Sequence, residues 1–162
     1  MRIAYLVGAV LFTASLWLGA CGPPYPGANY CGPSGKDCQC SNVPNCVYDC
    51  PVGGCDAKCH DVDNCDVGCG DACHFDCHNT VSCDGVCGDD CKADCHDASV
   101  CTVDCGADCQ VDCHNLDSCS VIMISGEVHC HDNGDCDIQC RQPNGALAPA
   151  DNCGKNRWRC GC

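Results

Sequence analysis

Five histidines, His60, His78, His96, His114 and His131, each follow a cysteine directly and recur at intervals of 18, 18, 18 and 17 residues. Imidazoles held at one height of a repeat, beside Asp61, Asn79, Asp97 and Asn115, form a donor set for zinc, copper or nickel. Aspartates recur too: Asp76, Asp94 and Asp112 in one column, and Asp71, Asp89, Asp90 and Asp108 around another. Of 22 acidic residues only Glu127 is glutamate, and short carboxylates in turns either serve calcium or sit solvated on a protected edge. Histidine has a plain account as well, as a turn residue copied each time the repeat was duplicated. A divalent metal is therefore the one cofactor suggested, and the fold does not require it.

Other chemistries find little support, and an enzyme is not expected. No Cys-x-x-Cys occurs, which disfavours thioredoxin-like redox sites and paired-cysteine zinc knuckles. No catalytic grouping of serine, histidine and acid stands out, and no phosphate loop occurs. The net charge of -14 makes nucleic acid and anionic membrane surfaces poor partners.

With 27 cysteines in 162 residues and only 5% aromatics, the composition is that of a disulfide scaffold. Such a density is tolerated oxidised outside the cytosol or metal-filled inside it. The N-terminus favours export: Arg2 precedes the apolar run IAYLVGAVLFTASLWL, which ends at Leu18-Gly19-Ala20-Cys21. This ending resembles the bacterial lipobox, in which the cysteine becomes the lipidated first residue of the mature chain. The resemblance implies a signal peptide over 1–20, lipidation at Cys21 and a membrane partner through the lipid. Gly22 after that cysteine implies the outer membrane. A plain signal peptide cut near Ala20, or an uncleaved spanning helix, are the alternatives. Without Cys21 the count is even, so every remaining cysteine is able to pair.

These side chains are positioned by an 18-residue repeat. Copies beginning at Cys65, Cys83 and Cys101 carry cysteine at positions 1, 5, 9 and 13. The copy from Cys46 is one residue longer, and that from Cys119 one shorter. Position 6 is Gly70, Gly88 and Gly106, and position 15 reads Asp61, Asn79, Asp97, Asn115 and, past the deletion, Asn133. Runs such as Cys-Thr-Val-Asp-Cys alternate strictly, which puts cysteine and valine on one face of a strand. Each repeat is thus strand, short turn, strand, longer turn. A two-sided β-solenoid of about five coils buries the apolar faces that a disulfide-rich β-meander leaves bare, and is preferred. Facing inward pairs are Tyr48 with Ala57, Val67 with Phe75, Gly85 with Ala93, Val103 with Val111 and Val121 with Val128; Gly85 with Ala93 looks underfilled.

The spacing also suggests how the cysteines pair. Across the short turn the expected bonds are Cys50 to Cys55, Cys69 to Cys73, Cys87 to Cys91 and Cys105 to Cys109. Both members vanish together after Cys119, where position 5 is Met123. Across the longer turn they are Cys59 to Cys65, Cys77 to Cys83, Cys95 to Cys101, Cys113 to Cys119 and Cys130 to Cys136, a separation of six that survives every insertion and deletion. An even set is left at each end: Cys31, Cys38, Cys40 and Cys46, and Cys140, Cys153, Cys160 and Cys162. The resulting layout is a signal peptide (1–20), a Gly/Pro-rich tether (21–37), solenoid repeats (38–140) and a C-terminal cap (141–162).

Two known solenoids share features with it. The coil length resembles that of RTX-type calcium β-rolls, but their Gly-Gly-x-Gly-x-Asp signature is absent. Disulfide-laced short coils resemble insect antifreeze proteins, whose Thr-x-Thr rows are absent here. The function expected is an envelope-anchored structural or adhesion-like lipoprotein with an unidentified envelope partner. Its alternative is an envelope metal-binding protein using the histidine and aspartate columns.

Overall fold

The computed structural model describes residues 37–160. The signal peptide, Cys21, Cys31, the tether up to residue 36, and Cys162 lie outside the described residues. The strands are β1 (Asp37–Ser41), β2 (Asn45–Cys50), β3 (Asp56–Cys69), β4 (His74–Val86), β5 (Lys92–His96), β6 (Val100–Asp104), β7 (Cys109–His114), β8 (Ser118–Met123), β9 (Gly126–His131), β10 (Asp135–Arg141), β11 (Leu147–Pro149), β12 (Asp151–Gly154) and β13 (Arg157–Arg159). Every described element is a strand, and the chain is a two-sided β-solenoid.

One face stacks β2, the second half of β3, the second half of β4, β6, β8 and β10 in parallel. The other stacks β1, the first halves of β3 and β4, β5, β7 and β9, also in parallel. That makes six rungs on each face where about five coils are expected. The additional rung is β1 on one face, whose Cys40 lies beside Cys59, and β10 on the other, the strand that carries Cys136 and Cys140; Cys38, Cys40 and Cys46, left as an end set by the spacing, are part of the first coil. Register follows the repeat: Cys65 pairs with Cys83, Cys83 with Cys101, and Cys101 with Cys119.

The interior is a thin layer of cysteine, valine and alanine with one fully buried ring, Phe75. The apparent gap at Gly85 is filled from the opposite face. A Cβ at Gly85 would lie 2.3 Å from Phe75 Cζ, so the ring occupies the volume a side chain would need. Phe75 in turn has small neighbours in its own column, Ala57 and Ala93. A further inward column, Val62, Thr80, Ala98 and Leu116, is buried beneath the longer turns.

The turns stack as regularly as the strands. In the longer turn, positive φ falls at Asp61, Asn79, Asp97, Asn115 and Asp132. Asp132, rather than Asn133, therefore completes that column, because His114 pairs with His131 and the next residues must align. The corrected column alternates Asp, Asn, Asp, Asn, Asp. Asn79 Nδ2 donates to Asp61 Oδ1, and Asn115 Nδ2 to Asp97 Oδ1, so alternation replaces like-charge opposition with hydrogen bonds. Asn133 instead turns inward, accepting from the Leu116 N–H at 2.8 Å and donating to the Cys113 carbonyl at 2.9 Å.

In the short turn the aspartates bind backbone. Asp71 Oδ1 accepts the Asp89 N–H at 2.9 Å, and Asp89 Oδ1 accepts the Ala107 N–H at 2.7 Å one coil on. A Cβ at Gly88 would lie 2.0 Å from Asp71 Oδ1, and one at Gly106 2.1 Å from Asp89 Oδ1. The glycine column leaves room for this carboxylate ladder. The left-handed position in these turns is held by Ala72, Asp90 and Asp108. Alanine has no side chain able to bond its own backbone there, and the conformation costs roughly 1–2 kcal/mol for a residue with a Cβ. Ala72→Gly is accordingly expected to raise stability by about 1 kcal/mol in denaturant titration of the oxidised protein, whereas Ala107→Gly, one position earlier in its turn, should not.

Disulfides line both edges. Across the short turns the structure joins Cys50 to Cys55, Cys69 to Cys73, Cys87 to Cys91 and Cys105 to Cys109. Across the longer turns it joins Cys40 to Cys46, Cys59 to Cys65, Cys77 to Cys83, Cys95 to Cys101, Cys113 to Cys119 and Cys130 to Cys136. Their Cα atoms lie 6.2–6.7 Å apart, within bonding reach. Cys140 bonds Cys160, and Cys38 and Cys153 are disulfide-bonded as well.

The last coil is covered by antiparallel strands. β11 pairs with β10 and β13 with β9, while β12 pairs with the outer side of β13. Trp158 lies opposite Val128, so the basic, aromatic tail segment Arg157-Trp158-Arg159 packs on the rod's end. Glu127 on β9 clamps this tail: it accepts from Arg159, and Arg157 Nε lies 3.3 Å from Oε1. Its contact with His129, and then those with the arginines, hold its carboxyl at about 2. The folded value lies below the unfolded one, so the clamp acts fully above about 4.5 and is lost as pH falls towards 2. Hydrogen exchange of β13, corrected for intrinsic rates, is expected to quicken between pH 5 and pH 2. In Glu127→Gln it should already be fast at pH 5.

Candidate functional site

Because side chains alternate along a strand, residues two apart share the outside of a sheet. On the face built from β1, β3, β4, β5, β7 and β9, three outward columns result. One is Asp56, His74, Lys92, Gln110 and Glu127; the next is Lys58, Asp76, Asp94, Asp112 and His129; the third is His60, His78, His96, His114 and His131. All seven histidines of the chain stand on this one face. The other face carries none.

The five histidines expected as a column do stack. His60 and His78 meet edge to face with centroids 5.4 Å apart, His78 stacks on His96 at 4.4 Å, and His114 lies against His131 at 4.5 Å. No ring contact joins His96 to His114 among the described residues. Carboxylates surround the rings. Asp97 Oδ2 lies 3.5 Å from both His78 Nε2 and His96 Nδ1, and Asp76 Oδ1 lies 3.3 Å from His96 Nε2. Asp132 Oδ2 lies 3.8 Å from His114 Nε2 and 3.5 Å from His131 Nδ1, and Asp112 Oδ1 lies 3.3 Å from His131 Nε2. A shallow groove lined by Asp76, Asp94, His96, Asp112, His114 and His131 runs between them.

Three of the charged groups on this face are shifted by their neighbours. The Asn115 amide, followed by His96, holds Asp97 below the usual carboxylate range. At Asp94 partial burial pushes the carboxyl up, but His74 and Lys92 together hold it below its ordinary value. The same contact with Asp94 raises Lys92.

His74 and His129 were not expected at a site. Their signal lies in the alternation itself: in His-Phe-Asp-Cys-His (74–78) and Glu-Val-His-Cys-His (127–131), they fall on the same side as the column histidines. Of the short-turn aspartates, Asp71 and Asp89 each use one carboxylate oxygen to bind a backbone N–H of the next coil. On the other face Arg141 Nη2 reaches Asp104, 2.8 Å from both of its oxygens. The cysteine trios, such as Cys59, Cys65 and Cys77, are oxidised and do not serve as thiolate ligands.

The stapled coils define the class as a rigid, disulfide-rich repeat protein of structural or interaction type, with its chemistry on the exterior. Bonding on this scale is consistent with an exported or extracellular protein. No family model, curated protein or solved structure matches the chain.

Proposed function

We propose that the chain is a lipid-anchored envelope protein whose solenoid acts as a rigid, non-enzymatic structural or adhesive rod. The observation that carries this reading is the in-register stack of six rungs per face, stapled along both edges and covered at one end by antiparallel strands. Such a stack is roughly 25–30 Å long at about 4.8 Å per rung and has little freedom to bend. Since Asp37 opens the first rung, the tether joins the rod at the end opposite the cap. An anchor at Cys21 would therefore present the cap and both faces away from the lipid. The lipobox resemblance supports the anchor, and Gly22 supports the outer membrane.

The test is metabolic labelling with an alkyne-tagged palmitate, followed by membrane fractionation. The expected result is label on the wild-type chain, recovered with the outer membrane, and none on Cys21→Ser. Unlabelled protein released in soluble form would overturn the anchor and leave a secreted rod.

A further inference from the structure

The histidine column is not uniform, and the departure is periodic. Its acid partner is the residue at the left-handed position of the same turn, and that residue is aspartate only in every second coil: Asp61, Asp97 and Asp132, with Asn79 and Asn115 between. Asp97 reaches its own coil's His96 and the preceding coil's His78; Asp132 reaches its own His131 and the preceding His114. Asp61 has His60 beside it, but the preceding rung presents Ser41. The pattern therefore closes twice and fails once.

We propose that these two clusters, His78 with His96 and Asp97, and His114 with His131 and Asp132, are separate binding sites for a divalent ion of the zinc class. In each cluster the three donor atoms lie within 4.8 Å of one another. Ligands about 2.0–2.1 Å from a tetrahedral zinc stand roughly 3.3 Å apart, so sub-ångström to ångström shifts of surface side chains close the set. Two imidazoles and one carboxylate leave a fourth position for water. The nitrogen donors select zinc, copper or nickel over calcium and magnesium, which take oxygen.

A second observation is independent of the donors. In both clusters the histidine next to the acid in the chain has its other ring nitrogen 3.3 Å from a carboxylate oxygen, Asp76 Oδ1 on His96 and Asp112 Oδ1 on His131. Both oxygens are inaccessible to solvent and have no hydrogen-bond partner. A carboxylate behind a ligating histidine fixes its tautomer and raises its basicity, which is the usual support of a metal imidazole. The same four-residue arrangement thus occurs two coils apart, although a one-residue deletion falls inside the second copy, between His114 and His131.

The experiment is calorimetry of zinc chloride into the oxidised chain. Two equivalents are expected for the wild type, one each for His96→Ala and His131→Ala, and none for the double variant. His74→Ala, which alters the same face outside both clusters, should keep two. Asp76→Ala should weaken one site about 10–100-fold and leave the other unchanged. Far-ultraviolet circular dichroism shows whether each variant keeps its strands, as the disulfides should ensure. An absence of heat from the folded wild type, or binding undiminished in the folded double variant, would overturn the assignment.

Discussion

Complete reduction of the chain in non-denaturing buffer is expected to abolish its strand signal in circular dichroism and to make residues 37–160 rapidly degradable by protease. The reason is quantitative. Ten of the eleven disulfides between described residues close loops of five to seven residues. By the chain-entropy model each removes denatured-state freedom worth roughly 2 kcal/mol. Even if far from additive, ten such bonds exceed the roughly 5–15 kcal/mol by which ordinary domains are stable. The interior has no reserve to replace them: beyond cysteine it is chiefly valine and alanine, with Phe75 its one buried phenylalanine. A reduced chain that kept its strands would show that the coils stack by backbone pairing and apolar burial alone.

Phe75→Ala is expected to be the most damaging single substitution outside the cysteines, costing about 3–5 kcal/mol in denaturant titration of the oxidised protein. The ring is fully buried, flanked by Ala57 and Ala93 and lying over Gly85. None of these three can expand to fill the space. Gly85→Val alone should also destabilise, by about 1–3 kcal/mol, because its side chain would enter a closed ring position. Together the two changes should cost less than their sum, since valine then occupies part of the vacated volume; a coupling of about 0.5–3 kcal/mol is expected. Strict additivity would mean that Phe75 and Gly85 do not share one space.

Much of this architecture is legible in the sequence because period-two alternation and an 18-residue repeat constrain the same residues. Cys, Val and Cys in one run must face inward, and the histidine after position 13 must then face outward. Arrangements that cross from one face to the other are less legible. Gly85 looks like a deficit beside Ala93, and only the height of Phe75 between rungs shows the compensation. The deletion after Cys119 hides which residue follows the column, so Asn133 is a plausible occupant until the pairing of His131 places Asp132 there. That one-residue shift matters, because strict alternation of acid and amide is what divides the histidines into two clusters. The roles of Asp71 and Asp89 likewise depend on a bond to the following coil, which a composition of turn-forming residues does not reveal. The rung formed by Cys38-Gln39-Cys40 escapes the repeat because it has no complete copy of the four-cysteine pattern.

Between Cys40 and Cys136 every disulfide closes a turn and none spans a coil. The sequence makes this directly measurable. Cleavage before aspartate places Cys95, Cys101, Cys105, Cys109 and Cys113 on five different peptides, beginning at Asp94, Asp97, Asp104, Asp108 and Asp112. Mass spectrometry of that digest without reduction is predicted to find the peptide of Cys101 joined to that of Cys95, and the peptide of Cys105 joined to that of Cys109. A bond between the peptides of Cys101 and Cys113 would contradict it.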